Sequence, residues 1–460
     1  KTFFVYGGVA PGENSLLELV SYYDHATGNV PRPVILMDKK TDDAHHNPLI
    51  SLDGDGHIWV FASYHGTSRP SYIFRSEKPY DIGACERVLE TNFSYPQPWH
   101  LAGEGFLFLH TRYAQGRGLF CATSPDGRTW SEPQSIAHIA EGHYQVSWPC
   151  GKRVGTAFDY HPPKKGLNFR TNLYYMETSD FGRTWRNVGL KTSEHIGRIM
   201  IDPRDTDVVY VAAYGPLWSS GGDRGLFKTT DGGKTWKKIL DISENTGVAD
   251  IALDPFNSDV ILASAHQRRR HVWTLIHGGP ESALYKSTDA GATFKKVRTG
   301  LPGGELGRSG LAFSKAQRGL VYARVEAAGG AGGVFRSLDA GESWERRDTY
   351  AGLPMYYLSV TPDPSVADRV YLQDVYVRVS DDGGKTWRVV GERNKHVDNH
   401  VYWIDPDDSD HILAGCDGGL YESWDRGAIW RHITNLSVTQ FYNVDVDNAS
   451  PIYNIYGGTQ

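Results

Sequence analysis

The sequence predicts an all-β protein built as a single β-propeller, with seven blades expected and eight as the alternative. Three observations carry that expectation. A short phrase, TTDGGKTW at 229–236, recurs with variations along the chain. The segments between its copies are strand-like, and the composition suits a β-rich globular protein with a large core.

The other copies are SPDGRTW at 124–130, TSDFGRTW at 178–185, STDAGATF at 287–294, SLDAGESW at 337–344, SDDGGKTW at 380–387 and SWDRGAIW at 423–430. Their aspartates, Asp126, Asp180, Asp231, Asp289, Asp339, Asp382 and Asp425, fall roughly 43 to 58 residues apart. One four-stranded blade takes about that length. A looser copy, SLDGDGHIW at 51–59, precedes them. In each phrase the aspartate can accept hydrogen bonds from N–H groups two or three residues on, and the glycine can take a positive φ, so each reads as a hairpin turn. The closing Trp or Phe is expected to plug between blades. VVYVAAY at 208–214 and VYLQDVYVRVS at 370–380 are rich in β-branched and aromatic residues, as strands should be. The phrases resemble the Asp box of sialidase-type repeats, which enzymes and receptors share. They specify architecture and leave function open.

At 460 residues the chain could hold three average domains, but seven or eight blades use that length in one ring, so one domain spanning 1–460 is expected. A net charge of −6 argues against a generic nucleic-acid binder. Abundant aromatics together with Arg and His suit sugar rings and their carboxylates instead. Cys85, Cys121, Cys150 and Cys416 form no CxxC pair, so neither a disulfide scaffold nor a thiolate zinc site is signalled. No apolar run reaches transmembrane length, and a monomer with no membrane partner is expected. The chain opens on KTFFVYGG without a charged-then-apolar leader, which leaves a cytoplasmic protein or one whose signal peptide lies outside this sequence. FFVYG is suited to completing the final blade.

Along the chain the accent changes. Residues 1–186 are rich in His and Tyr with irregular spacing, whereas 187–460 repeat one phrase, as in IDPRDTDVVYVAAY, LDPFNSDVILASA, TPDPSVADRVYLQDV and IDPDDSDHILAGC. Each is a turn followed by a buried strand. The second half resembles the repeat region of bacterial sortilin-like, xyloglucanase-like proteins in GPLWSSGGDRGLFKTTDGGKTW, HQRRRHVWTLIHGGP, NKHVDNHVYWIDP and CDGGLYESWDRG. The first half resembles the BNR-4 repeat proteins, which include ulvan lyases and rhamnose-glucuronate lyases, in DDAHHNPLISLDGDGHIWVFASYHGTSRPSYIFRS, NFSYPQPW, FLFLHTRYAQGRGLF, GHYQVSW and AFDYHPPKKGLNFRTNLYY. The chain therefore reads as a composite of two halves.

Cleaving a 4-linked uronide by β-elimination needs a cation to neutralise the carboxylate, a base for the C5 proton and an acid for the leaving oxygen. The first half offers His45, His46, His65, Tyr95, Arg112, Tyr113, His143 and Tyr144, each beside a strand-like run. Successive blades could aim them at one end of a central channel. The resemblance implies a catalytic set of His45, His65, Tyr95, Arg112 and Tyr144, with Arg112 and one His holding the carboxylate and the base and acid unassigned. His46 has no match and reads as a spectator. Read without the resemblance, His65 before Gly66 caps a turn and Tyr95 before Pro96 is an edge-strand aromatic. Tyr113, His143, His161 and Arg170 are substrate-binding candidates, the last two in a Lys-rich loop. HVDNH places His396, Asp398 and His400 at alternate positions, able to share a metal on a strand or simply to be hydrogen-bonded there. HQRRRH at 266–271 reads as an anion patch or a charged loop.

The expected function is a polysaccharide lyase acting on a uronic-acid glycan of ulvan or rhamnosyl-glucuronate type, secreted or periplasmic, with an anionic polysaccharide as partner. No cofactor is required by that chemistry, and a structural metal ion is compatible with the resemblance. The alternatives are a sialidase- or xyloglucanase-like hydrolase and a non-catalytic glycan- or peptide-binding propeller.

Overall fold

Strands buried on both faces read as continuous apolar runs rather than as alternation. Ile58–Ala62 (IWVFA) is buried at every position, and Gly105–Tyr113 is buried from Gly105 to Thr111. Such strands need a sheet on each side, which is the environment of a blade's middle strands. The computed structural model describes residues 1–9, 15–41, 43–113, 117–139, 143–160, 171–190, 192–433, 443–446 and 455–458.

Nearly every ordered element is a β-strand, and the sheets are antiparallel meanders of propeller-blade type. The chain divides into two compact units, Lys1–Gly189 and Leu190–Gln460. The first contains a three-stranded sheet at 2–38 and four-stranded sheets at 49–91, 94–139 and 145–187. The second contains four-stranded sheets at 196–240, 306–348, 360–389 and 399–432, and one at 246–297 that carries an additional short strand. The N-terminal strand Thr2–Val9 pairs along its whole length with Leu16–Tyr23, its local partner. The FFVYG segment thus builds the edge of the three-stranded first sheet.

All seven repeated phrases connect the third and fourth strands of a sheet. In the copy at 229–236, Thr229 donates its hydroxyl to Asp231 (2.7 Å) and accepts the Gly233 N–H (2.9 Å). Asp231 in turn accepts the Thr235 N–H (2.9 Å) and hydroxyl (2.7 Å). In six of the seven copies two successive residues take positive φ, as in Gly232 (65°) and Gly233 (81°) or Ala340 (57°) and Gly341 (84°), and the shorter copy at 124–130 has Gly127 (73°) alone. The second is glycine because a Cβ on Gly341 would stand 2.7 Å from Leu262 of the adjacent sheet. The first donates its N–H to the turn between strands one and two of its own blade. Ala290 reaches Asp259 (2.9 Å), Gly383 reaches Asp368 (2.8 Å) and Arg426 reaches Asp410 (3.0 Å). The repeated DP phrases are those first-to-second turns.

The looser copy at 51–59 is corrected by the structure. It joins the first strand, Leu49–Leu52, to the second, Ile58–Ala62. Asp53 accepts the N–H groups of Asp55 (3.1 Å) and His57 (2.8 Å) and the Trp59 indole N–H (2.8 Å). The local capping chemistry is shared, but the hairpin is a different one.

The closing aromatic of the repeat is core. Trp344 is 5% exposed and packs with Leu262, Leu284, Leu311 and Phe335, which come from two neighbouring sheets. Trp344→Ala is expected to cost about 3–5 kcal/mol, as large aromatic truncations in a core do. A denaturant midpoint that does not move would contradict this packing.

Candidate active site

In a four-stranded meander the start of strand one and the end of strand two lie at the same edge, opposite the turns described above. His45 precedes the strand Leu49–Leu52 and His65 follows Ile58–Ala62. Tyr95 lies at the start of Ser94–Leu101, Tyr113 ends Gly105–Tyr113, and Arg117 begins Arg117–Ser124. His143 and Tyr144 precede Gln145–Cys150. Three successive blades of the first unit therefore bring these side chains to one edge.

Asp43 organises the histidines. It caps the short 3-10 turn Ala44–His46 by accepting the His45 N–H (3.0 Å), and it bonds His45 Nδ1 (2.7 Å). Its other oxygen stands 3.2 Å from His46 Nε2 and 3.5 Å from His65 Nδ1. Burial opposes its ionisation, but the His45 N–H and ring, helped by His46, outweigh burial and hold its pKa at about 2. His45 stacks on His65 (ring centroids 4.8 Å apart, 22° between planes). His65 meets Tyr95 (5.9 Å) and Tyr113 (5.5 Å) edge-on, and Tyr95 meets Tyr144 (5.4 Å). The Arg117 guanidinium covers Tyr113 (5.5 Å) and Tyr144 (4.9 Å) and bonds the His143 carbonyl (3.3 Å). The result is a continuous band of one carboxylate, three imidazoles, three phenols and one guanidinium.

Burial and the neighbouring His45 lower the pKa of His65, so its imidazole is neutral near pH 7, and its buried Nε2 has no hydrogen-bond partner. Burial likewise takes His46 and His143 down to about 4. Burial raises the Tyr95 phenol well above its usual range, with Tyr113 and Tyr144 adding to it. For Arg117 burial opposes the charge, but the three phenols outweigh it and keep the group cationic. Tyr95 also sits at φ 49°, a left-handed backbone that costs a residue with a Cβ, where the pairing register slips between Ser94 and Gln97. Strain of that kind concentrates at working sites.

Below the histidines lies a buried cation. Lys39 and Glu18 form an ion pair with both side chains fully buried. The Lys39 ammonium also donates to the carbonyls of His46 (2.6 Å) and Ser63, tying together the two loops that carry His45 and His65. Tyr64 donates to the Lys39 carbonyl (2.9 Å). Burial pushes the Glu18 carboxyl up to about 7 against the pull of Lys39.

The structure brings together His45, His65, Tyr95, Tyr113, His143 and Tyr144. Arg112 is elsewhere: its guanidinium lies over the Phe120 ring (5.8 Å) and beside His110, on the strand face opposite Tyr113. Arg117, which pairs with Tyr113 in register, is the cation of the band. Asp43, Arg117, Lys39 and Glu18 are not among the residues expected from sequence. His161 and Arg170 lie outside the described residues. In the second unit, the strand reading of HVDNH fails because Asp398 takes φ 62° and the strand begins at Asn399. Its three side chains part company: His396 bonds the Val397 carbonyl, Asp398 accepts from Tyr357 (2.6 Å) and His400 pairs with Asp417 (2.8 Å). HQRRRH is not a loop, since it is the end of the long strand Asn257–His271.

Blades of this kind define a β-propeller of the Asp-box type. The sequence profile of BNR repeat-containing family members matches residues 20–274, 255 of the 460 residues, and the chain belongs to that family. That match runs past residue 186 into the more regular half, and a BNR/Asp-box repeat matches 378–389. Among curated relatives, a xyloglucanase of Paenibacillus sp. is 28% identical over 201 residues, 38% of this chain and 19% of the relative. A xyloglucanase of Hypocrea jecorina is 23% identical over 353 residues, 70% of this chain and 36% of the relative. The chain thus spans 19% to 36% of the length of these two relatives. Among solved structures, a PL25 ulvan lyase is 14% identical, with 75% of this chain and 96% of the other covered and a TM-score of 0.36. A GH74 xyloglucanase from Xanthomonas campestris is 13% identical, with 97% and 74% covered and a TM-score of 0.27.

Removing one partner of a buried ion pair leaves the other charge unpaired, so Lys39→Met is expected to cost about 3–5 kcal/mol. It should also loosen the His45 and His65 loops, seen as faster amide exchange there. Exchange confined to other loops would contradict the anchoring role.

Proposed function

We propose that the protein is a secreted or periplasmic carbohydrate-active propeller that cleaves a uronic-acid-containing glycan by β-elimination. The observation that carries this reading is the convergence of a neutral imidazole, half-buried phenols and one guanidinium from three successive blades at one edge. Arg117 would neutralise the uronate carboxylate, which acidifies the C5 proton. His65, held by Asp43 through Nδ1, presents an unpartnered Nε2 and would serve as the base. Tyr95 keeps its proton at neutral pH and would protonate the leaving oxygen, with Tyr144 beside it. His45 stacks on His65 and is the second imidazole able to take either role. The resemblance to ulvan lyases supports the substrate class, and elimination by this set requires no cofactor.

The catalytic set is tested by following the ultraviolet absorbance of the C4=C5 double bond on ulvan, rhamnosyl-glucuronate arabinogalactan and glucuronan. Arg117→Ala and Tyr95→Phe are each expected to lower kcat/KM by about 10²–10⁴-fold, and Arg112→Ala by less than about tenfold. An Arg112→Ala loss equal to that of Arg117→Ala would overturn the assignment of the cation. New reducing ends without absorbance would instead identify a hydrolase, in line with the names of the curated relatives. Binding with neither product would identify a glycan-binding propeller.

A further inference from the structure

The strand Asn257–His271 continues beyond its blade and folds back through Thr274–His277, placing Arg268 opposite His277. The base of this extra hairpin lies at the edge of the second unit where first strands begin and second strands end. Tyr214 follows Asp205–Ala213, Arg308 lies near the start of Leu306–Phe313, and Glu326 near the end of Val321–Ala327.

Two cations meet there. The Arg268 guanidinium stands over the Tyr214 ring (5.4 Å), and Arg308 acts on the same buried phenol. Each is half-buried, and burial together with Arg308 lowers the Arg268 pKa. Among the described residues neither guanidinium forms an ion pair with a carboxylate. Arg308 Nη1 bonds the carbonyls of Pro354 and Met355, both at 3.3 Å, and Arg268 Nε is buried without a partner. The nearby acids are engaged otherwise. Glu326 takes His277 Nδ1 (3.0 Å) and the Arg308 N–H (2.9 Å), while Asp250 takes Arg198 Nε (2.8 Å) and the Leu311 N–H (2.9 Å). His266, fully buried, lies edge-on to His277 (4.7 Å) and near Tyr214 (5.8 Å), and neither of its ring nitrogens has a partner in bonding geometry.

Half-burying two like charges around one phenol costs free energy that a bound anion offsets, and a guanidinium fork matches a planar or tetrahedral oxyanion. A buried, unpartnered imidazole adds a directional hydrogen-bonding group. We propose that Arg268, Arg308, Tyr214 and His266 form a second anion site, which binds a carboxylate or sulfate substituent of a glycan without cleaving it. The hairpin tip supports a sugar carrier. Trp273 is 81% exposed and stacks on His271 (5.3 Å, 15°), a flat surface suited to the apolar face of a pyranose ring. That the anion is carried on a glycan rests on the function proposed above, but the anion site itself does not.

The test is calorimetric titration of the 460-residue chain carrying Arg117→Ala with sodium D-glucuronate and, separately, with sodium sulfate. Saturable binding of at least one probe is expected, weakened about tenfold or more when Arg268→Gln and Arg308→Gln are added. Arg269→Gln, on the opposite strand face, is expected to leave binding unchanged and controls for charge and folding. Binding of glucuronate alone assigns a carboxylate site, sulfate alone a sulfate site, and both a general oxyanion site. Binding of neither probe, or an affinity indifferent to the paired substitution, overturns the proposal. Failure of elimination with arginine-dependent binding retained would sink the lyase reading and leave this site standing; the reverse pattern would do the opposite.

Discussion

An antiparallel four-stranded meander sends its connections alternately to two edges, and the rest of the structure depends on that constraint. The turns between strands one and two and between strands three and four share one edge. In the second unit these are the DP turns and the Asp boxes, stitched to each other by a backbone hydrogen bond within a blade, as between Gly383 and Asp368. The connections between strands two and three, and those leading into strand one, share the other edge. That edge carries none of the repeated phrases, so its residues are free to differ from blade to blade. The histidines, tyrosines and arginines of both proposed sites lie there. The aspartates of the repeat hold the frame at the edge away from the chemistry.

Electrostatics at the first site follow from burial more than from pairing. His46 and His143 are kept neutral because burial disfavours the cation, and Tyr95 keeps its proton because burial disfavours the phenolate, with Tyr113 and Tyr144 adding to the effect. Arg117 is the guanidinium of the band, placed over the faces of Tyr113 and Tyr144. Lys39 and Glu18 lie beneath this layer and pull on main-chain carbonyls, so they locate the His loops without entering the band. A site with one half-buried guanidinium beside a neutral imidazole and a protonated phenol suits an anionic substrate that must lose a proton next to its carboxylate.

Much of this was legible in the sequence because periodicity is. Seven boxes at blade spacing declare the strands between them, and the His- and Tyr-rich connections of the first half point to the edge that carries the site. What was not legible depends on single-residue geometry. Arg112 and Arg117 stand five positions apart around one hairpin, and which of them joins Tyr113 is decided by strand alternation and pairing register. Asp43 reads as an ordinary turn residue until its carboxylate is seen among three imidazoles. The 51–59 phrase misleads because Asp53 caps a first hairpin with the same bonds that other aspartates use at a second. HVDNH misleads because one left-handed residue, Asp398, breaks the alternation on which a shared face depends.

The central claim is that the first-unit band removes a proton from a uronate and expels the neighbouring sugar. Mass spectrometry of the fragments released from a glucuronate-containing glycan tests it most directly, because elimination and hydrolysis leave products that differ by one water. The account predicts fragments whose non-reducing uronate is lighter by that water than the hydrolytic product. Fragments that carry the full complement of water would contradict it, whatever their rate of release.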